Sequence, residues 1–156
     1  MKKHYTVIQE VILDETVLAK LIELSEDWAA ENSCYGYRPN GRSDIEGNRV
    51  FLAEENGEVV GYLFGKLCQS KQMQSIMPEG TPYFEVEELY VVPGKRSQGI
   101  GQKLFLHAEK TVSPEAEYMV LSTATKNWKA VFHFYLDELN MSFWSARLFK
   151  KIENDK

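Results

Sequence analysis

The stretch from Tyr83 to Val112, YFEVEELYVVPGKRSQGIGQKLFLHAEKTV, constrains the fold of this chain more than any other. β-Branched and aromatic residues with interleaved acids from Tyr83 to Val92 predict a strand that packs on one side and carries chemistry on the other. Pro93 ends it, because proline has no N–H for a ladder. From Gly99 the spacing becomes helical, with Ile100, Leu104 and Ala108 four apart and Phe105 and Val112 widening the same stripe. The turn between, Lys95 to Gly101, therefore leads into a helix N-terminus. Free N–H groups and the positive end of the helix dipole suit an anion there, and glycines let it approach the backbone. Lys95 and Arg96 add positive charge beside it. A softened loop with two solvated cations is the plainer reading of the same residues.

Spacing excludes two common phosphate loops. A Rossmann fingerprint requires a third glycine where Leu104 stands, and a Walker loop requires Ser or Thr after Gly-Lys where Arg96 stands.

The run Glu87-Glu88-Leu89-Tyr90-Val91, then Pro93, then Arg96-x-x-Gly99-x-Gly101, resembles the acetyl-CoA-binding motif of the GNAT superfamily of N-acetyltransferases. Asn127, Ala130 and the Phe134-Tyr135 pair resemble that family's later Asn-x-x-Ala and Phe-Tyr signature. The resemblance implies the acyl-CoA N-acyltransferase fold, an α/β architecture. Its central sheet is mixed and mostly antiparallel, with one parallel strand pair splayed to admit the pantetheine arm. It also implies that Leu89, Tyr90 and Val91 meet pantetheine and the acetyl carbonyl, that Arg96, Ser97, Gln98, Gly99, Ile100, Gly101 and Gln102 hold the pyrophosphate, and that Asn127 contributes to the same cosubstrate site.

Length and composition, 156 residues and 44% hydrophobic, fit one domain spanning 1–156, with no linker or repeat dividing it. The opening MKKHYTVIQEV lacks the continuous apolar run of a secretory signal, and no stretch reaches membrane-spanning length, so a cytoplasmic enzyme is expected. The net charge of −5, with scattered basic residues, argues against a nucleic-acid partner and suits a cationic substrate. Cys34 and Cys68 lack metal-ligand spacing and read as reduced, small apolar residues, and His4, His107 and His133 are isolated, so no metal is expected. A homodimer stays open.

The element order reads as strand 5–12, helix from an Asp14 cap to Glu31, strands 48–55 and 58–68 around Asn56-Gly57, and a loop 69–82 able to fold over a site. The central strand and helix follow, then a buried interior strand Tyr118–Thr123, a helix Asn127–Leu139 and one or two closing strands within Met141–Ile152. Gly61 and Gly65 inside a strand suggest a bulge or a close backbone approach.

An alkyl amine with a pKa near about 10 is protonated at neutral pH and must lose a proton before it can attack a thioester. Glu85, Glu87 and Glu88 are the candidate bases; plain alternation puts Glu85 and Glu87 on one face and Glu88 on the other, unless a bulge resets it. Glu87 is preferred because it resembles a catalytic glutamate of the polyamine-acetylating branch, and solvated strand-face carboxylates are the alternative. Tyr135 resembles the family's proton donor to the departing thiolate. It stands eight residues after Asn127 where the family has seven, with Phe134 at seven, and Leu139-Asn140 replaces the family's helix-ending glycine. A packed core tyrosine is the other reading. Tyr35, Tyr37 and Arg38, in the turn-rich run Asn32–Ser43, either face the acceptor or, for the tyrosines, cap the core. The expected activity is direct acetyl transfer from acetyl-CoA to a primary amine of a small molecule, and a non-catalytic acyl-CoA-binding or sensing module is the alternative.

Overall fold

The computed structural model describes residues 5–154, so His4 and the rest of the opening tetrapeptide lie outside the described residues. The chain divides into two compact units, Met1–Lys126 and Asn127–Lys156, taken in turn here.

The first unit holds a five-stranded sheet in the order β1-β2-β3-β4-β5, with β1 Thr6–Val11, β2 Arg49–Glu55, β3 Glu58–Gln69, β4 Pro82–Val91 and β5 Tyr118–Val120. Neighbours from β1 to β4 are antiparallel, and β4 pairs with β5 in parallel, giving the mixed sheet expected. Helix α1, Glu15–Glu31, starts where Asp14 accepts the Val17 N–H at 2.8 Å. Its Leu18, Leu21 and Leu24 pack with Ile45 of the short helix α2, Arg42–Ile45, on Val50, Leu52, Tyr62, Phe64 and Tyr90. On the opposite face, helix α3, Ile100–Val112, buries Ile100, Leu104, Phe105, Ala108 and Val112, and its His107 meets Phe51 edge-on.

The bulge forms in β4. Phe64 is in register with Glu88 but Gly65 with Val86, which leaves Glu87 as the extra residue. Gly65 is required there, since an added Cβ would strike the Glu85 carbonyl oxygen. A Cβ at Gly61 would lie 2.9 Å from the Tyr90 carbonyl oxygen, so the second strand glycine also marks a close approach.

Pairing between β4 and β5 covers only Tyr83–Glu85 against Tyr118–Val120. β4 continues to Val91 without β5, and that divergence is the splay. β5 is therefore shorter than the expected 118–123, and it ends the sheet instead of lying in its interior, with Tyr118 exposed. Loop 70–81 is pinned to itself: Ser70 donates to the Pro78 carbonyl oxygen and accepts the Thr81 N–H, over a buried Met77.

In the second unit, α4, Trp128–Phe132, continues as a π-helix over His133–Glu138, closed by the Leu139 N–H on the Phe134 carbonyl oxygen at 3.1 Å. A π turn holds one residue more than an α turn, and it is the usual form in which a helix takes in an extra residue. The expected strands within Met141–Ile152 are absent among the described residues, and Leu148, Phe149 and Ile152 are exposed. Trp144, Ala146 and Leu148 alternate with Ser145 and Arg147 as in a strand, yet no ladder among the described residues pairs this segment.

Candidate active site

The bulge decides which acids share a face. Lys66 opposes Glu85 in register and also pairs with Glu87 at 3.3 Å, while Glu88 opposes Phe64, whose ring lies in the α1-side core. Even-numbered β3 residues from Tyr62 to Lys66 point to that side, so Glu85, Glu87 and Glu88 all lie on the α1 face. Alternation without the bulge would have split them, with Glu88 on one face and Glu85 and Glu87 on the other.

Glu88 is the best-held of the three. Its Oε1 accepts Tyr62 Oη at 2.7 Å, Tyr37 Oη at 3.1 Å and Asn40 Nδ2 at 3.0 Å, and its Oε2 accepts Asn40 Nδ2 at 2.9 Å. Burial pushes the carboxyl above the ordinary glutamate range, against the pull of the hydrogen bonds from Asn40, Tyr62 and Tyr37. Burial and the Glu88 charge hold the Tyr37 and Tyr62 phenols protonated, which keeps both as donors. Glu85 is also raised, by burial and then by the Glu87 charge, with Lys66 opposing. Glu87 is more open, its side chain 37% exposed beside Lys66.

Tyr37 and Asn40 reach Glu88 from the segment between α1 and α2. Tyr37 stacks on Trp28 at 4.4 Å, and Trp28 stacks on Tyr90 at 5.1 Å. The Asn40 N–H is fixed by the Ser25 hydroxyl at 2.9 Å. Arg38 is turned to Asp44, and Tyr35 is exposed beneath Lys126, so only Tyr37 of the three expected acceptor residues meets the carboxylate. Asn40 and Tyr62 escaped the sequence reading because one sits in a Pro-Asn-Gly turn and the other in an apolar strand, where each type has an ordinary structural use.

Along β4 the backbone groups alternate between its two edges. The Val92 N–H turns to the Val60 carbonyl oxygen of β3, so the N–H and carbonyl of Val91 turn to the edge that β5 has left, where Arg96 Nε meets the Val91 carbonyl at 2.8 Å. Leu89 presents its backbone to the same edge, and Tyr90 directs its phenol to Glu31 Oε2 at 2.7 Å. The turn then runs through Ser97 at φ 62° to Gly99, which caps α3 at φ 83°. A Cβ at Gly99 would meet nothing within 4 Å, so the cap itself is not crowded by its neighbours. Ser97, Gln98, Ile100, Gly101 and Gln102 thus surround a helix N-terminus of the kind that receives anions. Asn127 and Tyr135 belong to the second unit, where Asn127 stands at the start of α4 and Tyr135 lies in the π-helix with its ring 4.9 Å from that of Phe134.

The sequence matches the acetyltransferase (GNAT) family over residues 18–139. The chain belongs to that family. No curated protein sequence matches this member of the family. Its fold is similar to that of a transcriptional regulator from Bacillus halodurans C-125, with a TM-score of 0.70 at 19% identity over 95% of this chain and 100% of the other. It is also similar to an aminoglycoside acetyltransferase from an uncultured soil metagenomic sample, crystallised with trehalose, at TM-score 0.65 and 16% identity over 95% of this chain and 97% of that one. A third similar structure is the aminoglycoside N-acetyltransferase AAC(6')-Iy in complex with CoA, at TM-score 0.64 and 14% identity over 95% of this chain and 100% of that one. Among the described residues, no helix is long and apolar enough to cross a membrane, and no group of three or more His, Cys, Asp or Glu side chains is placed to hold a metal ion.

Proposed function

We propose that this acetyltransferase moves an acetyl group from acetyl-CoA directly to a primary amine of a cationic small molecule, with Glu88 as the carboxylate that takes the amine's proton. The observation that carries the reading is the Glu88 site. Three donors fill Oε1 and one reaches Oε2, which leaves Oε2 with acceptor capacity for an incoming N–H. Burial raises the proton affinity of this carboxyl, which narrows the gap to the amine it must deprotonate. Glu85 and Glu87 on the same face make it anionic, which favours a cationic acceptor; two of the similar structures are named as aminoglycoside acetyltransferases.

Acetyl-CoA supplies the activated acyl group as a thioester. The edge of β4 at Leu89 to Val91 offers extended backbone for the pantetheine arm, and the Val91 N–H can meet negative charge developing on a carbonyl oxygen. The turn to Gln102 and the N-terminus of α3 offer N–H groups for the pyrophosphate. Glu87, held by Lys66, is the sequence-preferred base and becomes the second carboxylate of the acceptor face. Tyr135 is the proposed donor to the departing thiolate, and Asn127 a cosubstrate contact. The π turns that begin at His133 overlap the segment between them, which is compatible with one residue more than the family spacing.

The test is CoA release from acetyl-CoA across a panel of mono- and polyamines. Acetylation of a cationic amine is expected. CoA binding without turnover on any amine would make the chain a sensing module instead.

A further inference from the structure

Both cations that precede the glycines are committed inside the chain. Lys95 Nζ lies 2.8 Å from Glu55, a carboxylate that also accepts the Thr6 hydroxyl and is only 8% exposed. Arg96 is held more completely. Its Nη1 and Nη2 donate to the two oxygens of Glu31 at 2.7 and 3.0 Å, its Nε donates to the Val91 carbonyl at 2.8 Å, and its guanidinium lies 5.3 Å from the centre of the Tyr90 ring. Three of its five N–H groups are thereby directed at the protein, with the planar fork matched to a carboxylate. Glu31 also receives the Tyr90 hydroxyl, so one side chain in the last turn of α1 ties together the end of β4 and the start of the turn.

We propose that Arg96 acts as a brace and is not a phosphate ligand, and that Glu31 is the positioning residue that holds the turn and the β4 edge in the shape that receives CoA. The proposal rests on CoA being the ligand of the turn. Arg96 spans the edge of β4 at Val91 and the C-terminal end of α1, so it fixes where the chain leaves the strand and hence the direction in which residues 97–99 enter α3. The anion is then met by the backbone N–H groups and dipole of a 13-residue helix, without help from the guanidinium.

The two roles of Arg96 predict opposite signs for Glu31→Gln. If Glu31 restrained a phosphate ligand, its neutralisation would release Arg96 and tighten CoA binding. With Arg96 as a brace, Glu31→Gln weakens CoA binding roughly tenfold by calorimetry, the effect of losing a charge-assisted pair. Arg96→Lys keeps the charge but not the fork, and it weakens binding in the same direction. In protein without CoA, amide exchange over residues 97–103 quickens in both variants while exchange in β2 and β3 stays as in the wild type. That readout decides the brace even if the wild type fails to bind CoA, a result that would remove the cosubstrate assignment itself. Tighter CoA binding in Glu31→Gln, or unchanged exchange across the turn, overturns the proposal.

Discussion

Tyr62 and Glu88 meet at 2.7 Å although neither is the other's register partner: Tyr62 opposes Tyr90, and Glu88 opposes Phe64. The contact is diagonal across two strands, within reach of a long side chain. The register from Tyr62/Tyr90 to Phe64/Glu88 is unbroken, so Glu88 shares the α1 face with Tyr90, and the extra residue at Glu87 is what brings Glu85 and Glu87 to that face as well. Tyr62 is fully buried and stacked on Phe64, so the carboxylate is anchored to the centre of the core.

That anchoring sets a pH dependence. Glu88 binds its proton more tightly folded than unfolded, because burial outweighs its hydrogen bonds. Between the ordinary glutamate value and the raised folded value the native state holds more protons, so stability falls as pH rises through that window. Glu88→Gln should flatten this segment of the stability profile, measured by urea denaturation. Its kcat/KM should drop about 10²–10⁴-fold, and the acid limb assigned to Glu88 should vanish. Tyr37→Phe removes a hydrogen bond that lowers the Glu88 pKa, so in this variant the acid limb should move to higher pH. An unmoved limb in Tyr37→Phe would detach that limb from Glu88.

Gly65→Ala tests the bulge. The new Cβ would strike the Glu85 carbonyl oxygen and the Phe84 ring, and the backbone contact cannot yield as a flexible side chain would. A loss of about 1–3 kcal/mol is expected from overpacking alone. Strands that move apart to relieve it also displace Glu88 from Tyr62, so kcat/KM should fall at temperatures where the variant is still fully folded. Full activity in folded Gly65→Ala would show that the acids do not depend on this bulge.

Much of this architecture was legible because its signals are local. Asp14 before an apolar stripe, Asn56-Gly57 between two strands, and Pro93 before a glycine-bearing helix start each fix an element through neighbouring residues alone. What was hidden depends on partners distant in sequence. The bulge lies at Glu87 because Gly65 on the neighbouring strand makes room, and that shift brings Glu85 and Glu87 to the face of Glu88, the base proposed here. The sequence shows Arg96 only beside the glycines, because Glu31, the carboxylate it pairs with, lies a whole hairpin and a strand earlier. The closing segment shows the same limit, since Trp144, Ala146 and Leu148 alternate with polar residues as in a strand, and alternation alone supplies no partner for a ladder.

Gly99 gives the most direct test of the cosubstrate turn. Its φ of 83° is costly for a β-branched residue, and a Cβ there meets nothing within 4 Å, so Gly99→Val strains the backbone without a clash. Gly57, at φ 77° in the β2–β3 hairpin with equally open surroundings, is the matched control, because valine there carries a comparable strain far from the turn. Each variant should lose about 1–2 kcal/mol. At a hundredfold excess over its Kd, CoA stabilises a protein that binds it by about 2.7 kcal/mol, several degrees of Tm for a chain of this size. The wild type and Gly57→Val should both show that shift. In Gly99→Val the side chain occupies the space outside the first turn of α3, where the pyrophosphate would reach the backbone N–H groups, and the shift should disappear. A retained shift in Gly99→Val would place the CoA site elsewhere on the chain.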